Sequence, residues 1–331
     1  MDLPLLSALF LMFALTMYVM LDGFDLGVGA LLLAQRDERV RNRMVDAVAP
    51  TWDGNETWLV LAALTAFAGF SRAYGILVPA FFIPVVLMLM SLGLRGVSFE
   101  FRHNSVASRG RWDVVFAGGS LVAALAQGLV VGGLIQGVDT DLDTFGGSPF
   151  DTFSPFCLLI GVTLVTGYAT LGVGWLRLKG EDATRAFARS YQRWLPLAFL
   201  LLTISSGVIA VNIQPSLAES WRNHRVAHGV CVVVFTGCAL GIAWLASRDD
   251  ADDRIGFGLA LAMMLSGVVA LGLSFFPYAV PFRITLWQAA SDRSTQEFLL
   301  IGAVVVTPVI LIYSAFAYRV FRGRTPAEGW Y

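Results

Sequence analysis

Charge is scarce in this chain. Only 14% of its 331 residues are Asp, Glu, Lys or Arg, against roughly a quarter in an average soluble domain. Histidine is scarcer still, with only His103, His224 and His228, and none of the three lies in the middle of an apolar run. His224 and His228 are four apart at the start of such a run and could touch a metal. One helix face cannot supply both axial ligands of a single haem, so no bis-histidine haem site is expected. The three cysteines, Cys157, Cys231 and Cys238, all fall in apolar segments. Their spacing fits no zinc or haem-attachment pattern, and they read as small core residues. There is no Walker A loop, and "GVGALL" after Asp25 lacks the preceding strand and third glycine of a dinucleotide fingerprint. No nucleophile–base pair stands out. A net charge of −1, with no basic patch interleaved with aromatics, gives no sign of a nucleic-acid partner.

Apolar sequence is abundant instead. The chain is 56% hydrophobic, with a mean hydropathy of +0.69. Runs of about 20 residues, enough to cross the hydrocarbon core, recur along its length and leave no room for a sizeable soluble domain. The start "MDLPLLSALF" has no basic n-region and no small-residue cleavage site, so it reads as a retained first helix. Nine spans are expected: 4–34, 55–71, 75–99, 114–137, 154–178, 194–213, 226–246, 256–276 and 297–320. The third carries Pro79 and Pro84, which membrane helices tolerate when neighbours satisfy the freed carbonyls.

Positive charge sets the orientation. With the N-terminus outside and the C-terminus inside, 17 basic residues fall in inner loops and the tail and 5 in outer loops, with Arg95 left inside the third span. The outer loop "GVDTDLDTFGGSPFDT" has four aspartates and no basic residue. It resembles a calcium loop but has Thr144 where glycine is needed and Phe150 where glutamate is needed. It reads as a solvated acidic loop.

Three polar constellations interrupt the apolar pattern. The first is "VMLDGFDLGVGALLL" at 19–33. Asp25 is 11 residues from the inner Arg36, about 16 Å along a helix axis, and Asp22 is about 21 Å away. Both therefore lie within the bilayer, with Asp25 in its inner half. They share one helix face. Gly23 and Gly27, four apart and joined by Gly29, allow another backbone to approach. The aspartates should thus face protein or water, where an intramembrane carboxylate is a candidate functional group. The second is "APTWDGNETWLV" at 49–60. Asp53 followed by Glu56 has the form of a capping box opening the second span, which would also put Asp53 at its inner mouth. Trp52 and Trp58 read as interface belt residues or as packing around a cavity. The third is "LRGVSFEFRH" at 94–103. There Arg95, Glu100 and Arg102 form either a snorkelling salt-bridge network or part of an aqueous proton entry.

These motifs carry a family resemblance. "DGFDLGVG", "APTWDGNETWL" and "RGVSFEFR", in this order and spacing over the first 105 residues, are similar to subunit II of bacterial cytochrome bd-type quinol oxidases. The chain's shortness is similar to that of the compact cyanide-insensitive branch. The remaining two-thirds resembles the family in helix pattern and size, and no functional residue is carried over there.

The resemblance implies an all-α protein of the bacterial cytoplasmic (inner) membrane. Residues 1–137 would form a first four-helix bundle, 154–276 a second, and 297–320 a peripheral helix. It implies a larger partner, subunit I, carrying the quinol site, two b-type haems and one haem d. The complex would oxidise quinol and reduce dioxygen to water, taking its chemical protons from the cytoplasm. This chain would bind no cofactor tightly, although some members hold a structural quinone, and a small single-helix accessory subunit often accompanies the pair. The family places the Asp of "WDGN", Asp53 here, on a proton path. The expected path residues are Asp53, Asp25, Glu56 and Glu100, with supporting roles for Asp22, Trp52, Asn55, Arg95 and Arg102. A purely structural role, gluing the first two helices together, remains open for the aspartates. Two other function classes stay in view: a secondary transporter using intramembrane carboxylates, and a non-catalytic assembly factor.

Overall fold

The computed structural model describes residues 2–104, 108–141, 144–248 and 251–325, with the His103 side chain also outside the description. Helix α1 (Leu3–Leu31) opens where the Asp2 carboxylate accepts the Leu5 N–H and proline occupies the first turn. Both suit the orphan donors of a helix start. The helix tightens into a 3-10 turn over Leu32–Ala34. Then come α2 (Glu38–Asp46), α3 (Trp52–Gly69), α4 (Ser71–Ala80), α5 (Phe82–Asn104) and α6 (Arg109–Gln136). The second half holds α7 (Pro155–Lys179), α8 (Asp182–Gln192), α9 (Trp194–Ile213), α10 (Pro215–Asn223), α11 (Arg225–Leu245) and α12 (Asp253–Phe275). A small hairpin of β1 (Tyr278–Val280) and β2 (Ile284–Thr285), then α13 (Leu286–Ala289), lead to α14 (Arg293–Val320).

Among the described residues, eight helical stretches are long and apolar enough to cross a membrane. Helix α3 has 18 residues but opens with Asp53, Asn55 and Glu56, which lower its hydropathy. The expected third span, 75–99, is corrected: the chain breaks at Phe81 into α4 and α5. Pro84 explains the break. It cannot donate to the Ala80 carbonyl, and its ring crowds that carbonyl. Short helices also fill loops that hydropathy alone leaves blank. In α8, Thr184, Ala188 and Gln192 are buried at helical spacing, a stripe that lays the helix on the bundle end.

The centre of the molecule is the crossing of α1 and α7. A Cβ on Gly27 would stand 1.8 Å from the Tyr168 carbonyl oxygen, and one on Gly172 would stand 2.6 Å from the backbone of Gly27. The small-residue surface expected on α1 is therefore used, and its partner there is α7. Helix α6 uses the same device twice, against Ser120's neighbour Gly29 on α1 and through Gly128 against Gly161 on α7. Cys157 is fully buried where Gly132 meets its Cα, and Cys231 and Cys238 are buried on one face of α11. All three are free thiols.

The two ends of the bundle differ. At one end, Arg41 pairs with Asp113, Arg43 with Glu181 and Arg109 with Glu38, joining the loops read as inner. At the other, Trp287 donates to Asp2, and Ser291 N–H donates to the Gly69 carbonyl. In the acidic loop there, Asp141 accepts the Thr144 N–H and Asp151 the Ser148 N–H, so these two aspartates cap turns. Asp143 lies outside the described residues.

Candidate functional site

Asp22 and Asp25 are both fully buried, one turn apart on α1, inside a run from Asp22 to Gly29 that is buried throughout. Their environments differ. Asp22 Oδ1 lies 2.8 Å from Arg95 Nη2, and the same guanidinium nitrogen reaches Glu56 Oε2 at 3.0 Å. Arg95 thus ties α5 to α1 and α3. It is 0% exposed and sits 5.9 Å from the ring centre of Trp52. The snorkelling expectation is corrected here: two carboxylates draw the guanidinium inward, because a buried charge needs partners in hydrocarbon.

Asp25 Oδ2 accepts a 2.7 Å hydrogen bond from Asn55 Nδ2, and Asn55 Oδ1 in turn accepts one of 2.8 Å from the Tyr318 hydroxyl on α14. The other Asp25 oxygen has no hydrogen-bond partner among the described residues. On the far side of Asp22, the Tyr18 hydroxyl lies beside its carboxylate. Gln127 Nε2 donates to the Tyr18 hydroxyl oxygen and Tyr168 donates to Gln127 Oε1, each at 2.7 Å. A polar string therefore runs from half-buried Glu56 through Arg95, Asp22, Tyr18 and Gln127 to Tyr168, crossing five helices.

Asp53 and Glu100 stand outside this string, both exposed. The capping box is corrected as well. Helix α3 starts at Trp52 after Thr51, with no side-chain cap bond, so Asp53 is inside the first turn and Glu56 turns to Arg95. Arg102 also belongs elsewhere: it bonds Asp113 at 2.6 Å and Asn42 at 2.6 Å, closing that end of the bundle with Arg41. Trp52 stacks on Phe99 at 4.9 Å. Trp58 is fully buried with its edge to Phe13 at 5.5 Å, which makes it a packing residue rather than a belt residue. Sequence reading missed Tyr18, Gln127, Tyr168 and Tyr318. The available signal was a polar side chain alone in an apolar run, with Tyr18 one turn from Asp22.

His228 bonds the Ser274 hydroxyl and the His224 carbonyl and stacks on Trp221. Among the described residues, no three His, Cys, Asp or Glu side chains gather to hold a metal.

Residues 3–321 match the family described as cytochrome bd terminal oxidase subunit II. The probable cytochrome oxidase subunit 2 of Haemophilus influenzae is 30% identical over 93% of this chain and 91% of its own length. The cytochrome bd-I ubiquinol oxidase subunit 2 of Escherichia coli K12 is 28% identical over 98% and 94%. In fold, the bd oxidase from Geobacillus thermodenitrificans superposes with a TM-score of 0.73 at 15% identity, covering 97% of this chain and 99% of that one.

Proposed function

The chain belongs to the cytochrome bd terminal oxidase subunit II family, and on that premise we propose that it supports a haem-bearing subunit I and leads cytoplasmic protons toward the oxygen site there. Members of the family are components of oxidases that couple quinol oxidation to dioxygen reduction. The transporter reading falls with that membership. In the proposed arrangement the chain crosses the bacterial inner membrane nine times, α3 included, with its N-terminus outside. Residues 1–137 and 154–276 act as two bundles and α14 as the peripheral helix. The two b-type haems and haem d belong to subunit I, and a structural quinone and a single-helix accessory subunit complete the expected complex.

The observation that carries the proton reading is the acidic edge of α3. Asp53 is exposed one turn from Glu56, and Glu56 is 27% exposed while paired with the buried Arg95. Proton consumption in a partner needs such a donor at the inner surface, with Asp25 and Glu100 as further carriers. Asp22, clamped by Arg95, acts as a structural anion.

The test is Asp53→Asn in the tagged, detergent-purified complex. The reading expects a larger subunit to copurify, a normal reduced-minus-oxidised haem spectrum, and oxygen uptake slowed by about tenfold or more, the scale of one lost proton-transfer group. Loss of the haem d band instead would make Asp53 structural. Full activity with full haem would remove it from the path.

A further inference from the structure

Tyr318 joins the buried Asp25 to the inner end of the molecule by a route that bypasses Asp53. The C-terminal tail folds back there: Lys179 Nζ donates to the Phe321 carbonyl, and the Thr325 N–H donates to the Lys179 carbonyl at 2.9 Å. Gly323, at φ +92°, makes the turn that this strap needs, a backbone conformation costly for other residues. Beneath the strap is an open groove of about 530 Å³ between the ends of α7, α12 and α14. Its walls include Asp252, Asp253, Arg254 and Arg322, and Tyr318, Trp175 and Lys179 line its inner part. The same three residues also line a second, smaller cavity that reaches Thr51 and Ala47. That cavity is about 10 Å³, enough for a single water, and Thr51, Lys179 and Tyr318 in its walls offer the polar partners a water requires.

We propose that this groove and cavity form a cytoplasmic water inlet serving Asp25, with Tyr318 as the positioning residue at its inner end. The proposal rests on the proton-handling reading above and adds a second entrance to it. Charged walls keep the groove wet. The Tyr318 hydroxyl, turned to Asn55 Oδ1 at 2.8 Å, borders the wet space on one side and orients the amide that holds Asp25 on the other. The Asn55 amide passes no proton itself. It fixes one Asp25 oxygen and leaves Oδ1 as the acceptor. A hydronium reaching that oxygen gives up its proton, leaving a neutral carboxylic acid and a water molecule. The proton later leaves to the acceptor side, restoring the carboxylate. The inlet explains why the amide that holds a fully buried carboxylate is itself bonded by Tyr318 near the end of α14.

Two arms test the proposal on the assembled complex. Arg322→Cys and Arg254→Cys place thiols in the groove, and the native cysteines are buried. Each variant, measured before labelling, is its own reference. Modification with a bulky, membrane-impermeant thiol reagent from the cytoplasmic side should slow oxygen uptake, and in an Asp53→Asn background should slow the residual uptake by about tenfold, about 1.4 kcal/mol of barrier, with the haem spectrum unchanged. Ala183→Cys, exposed at the same end but away from the groove, should label without effect. In the second arm, Tyr318→Phe should slow uptake and shift its pH profile, which a loss of packing alone would not do. Complete labelling with unchanged uptake overturns the inlet, and does so even if Tyr318→Phe fails to assemble. If Asp53→Asn is slow while groove labelling is silent, the proton reading stands and the inlet falls. If labelling slows uptake while Asp53→Asn is silent, the inlet stands and the Asp53 entrance falls.

Discussion

Asp22 and Asp25 differ by one helical turn and by everything around them. Asp22 faces a guanidinium at 2.8 Å, Asp25 an amide at 2.7 Å. Removing one member of a buried ion pair strands the other, at a cost of about 3–5 kcal/mol. Arg95→Leu should therefore lower the melting temperature of the purified complex sharply, followed as loss of haem absorbance on heating. Adding Asp22→Asn should recover part of the loss, since it removes the stranded charge. A single Arg95→Leu variant that melts like the parent would mean the pair contributes nothing. The burial of both aspartates could be read from sequence, because an ionised group in an apolar run has nowhere else to go. Their partners could not be. Arg95 is 73 residues from its partner Asp22 and looked like an interfacial cation, since nothing local shows which charges the fold brings to it. The Asp53–Glu56 spacing misled for a related reason. Thr51 already precedes the helix, and the tertiary pull of Arg95 on Glu56 outweighed a local cap.

At the scale of elements, the glycines of α1 were legible as a close-packing surface and the helix laid on it was not. Spacing says that a backbone can approach but does not name α7. Gly27→Ala would put a methyl carbon 1.8 Å from the Tyr168 carbonyl oxygen, a backbone atom that can yield only if the whole helix moves. Overpacking of that kind costs about 1–3 kcal/mol, and the variant should reduce the yield of assembled complex in gel filtration. Gly118→Ala, on α6 with nothing within 4 Å of the added carbon, should assemble normally and gain slightly in helix propensity. Equal behaviour of the two would refute tight docking at Gly27. Most of the long apolar helices were legible to within about five residues, because long apolar runs have one solution in a bilayer. The break at Phe81 was missed although both prolines were visible. In a membrane helix a proline either kinks or ends the helix, and tertiary packing decides which. The amphipathic α2 and α8 were missed because short, polar stripes give no hydropathy signal.

For the whole molecule, sidedness follows from which loops share an end. The ion pairs Arg41–Asp113, Arg43–Glu181 and Arg109–Glu38 gather one set of loops, and this is the set that holds most of the basic residues. The hydrogen bonds of Trp287 to Asp2 and of Ser291 to Gly69 gather the other. An α3 that failed to cross would send the first basic loop and the α5–α6 connection to opposite sides, yet Arg102, Asp113 and Arg41 meet. The nine-crossing topology therefore makes a two-sided prediction. Phe150, 71% exposed in the acidic loop, should, as Phe150→Cys, react with an impermeant thiol reagent added outside intact cells. Ala183→Cys, exposed at the start of α8, should react only in inverted vesicles. The positive-inside bias is enforced during insertion, so one copy of the chain cannot satisfy both orders. Labelling of both positions from the same face would mean an even number of crossings between them. That result would require α7, the one long helix between them, which packs on α6 through Gly161 and Gly128, not to cross the membrane.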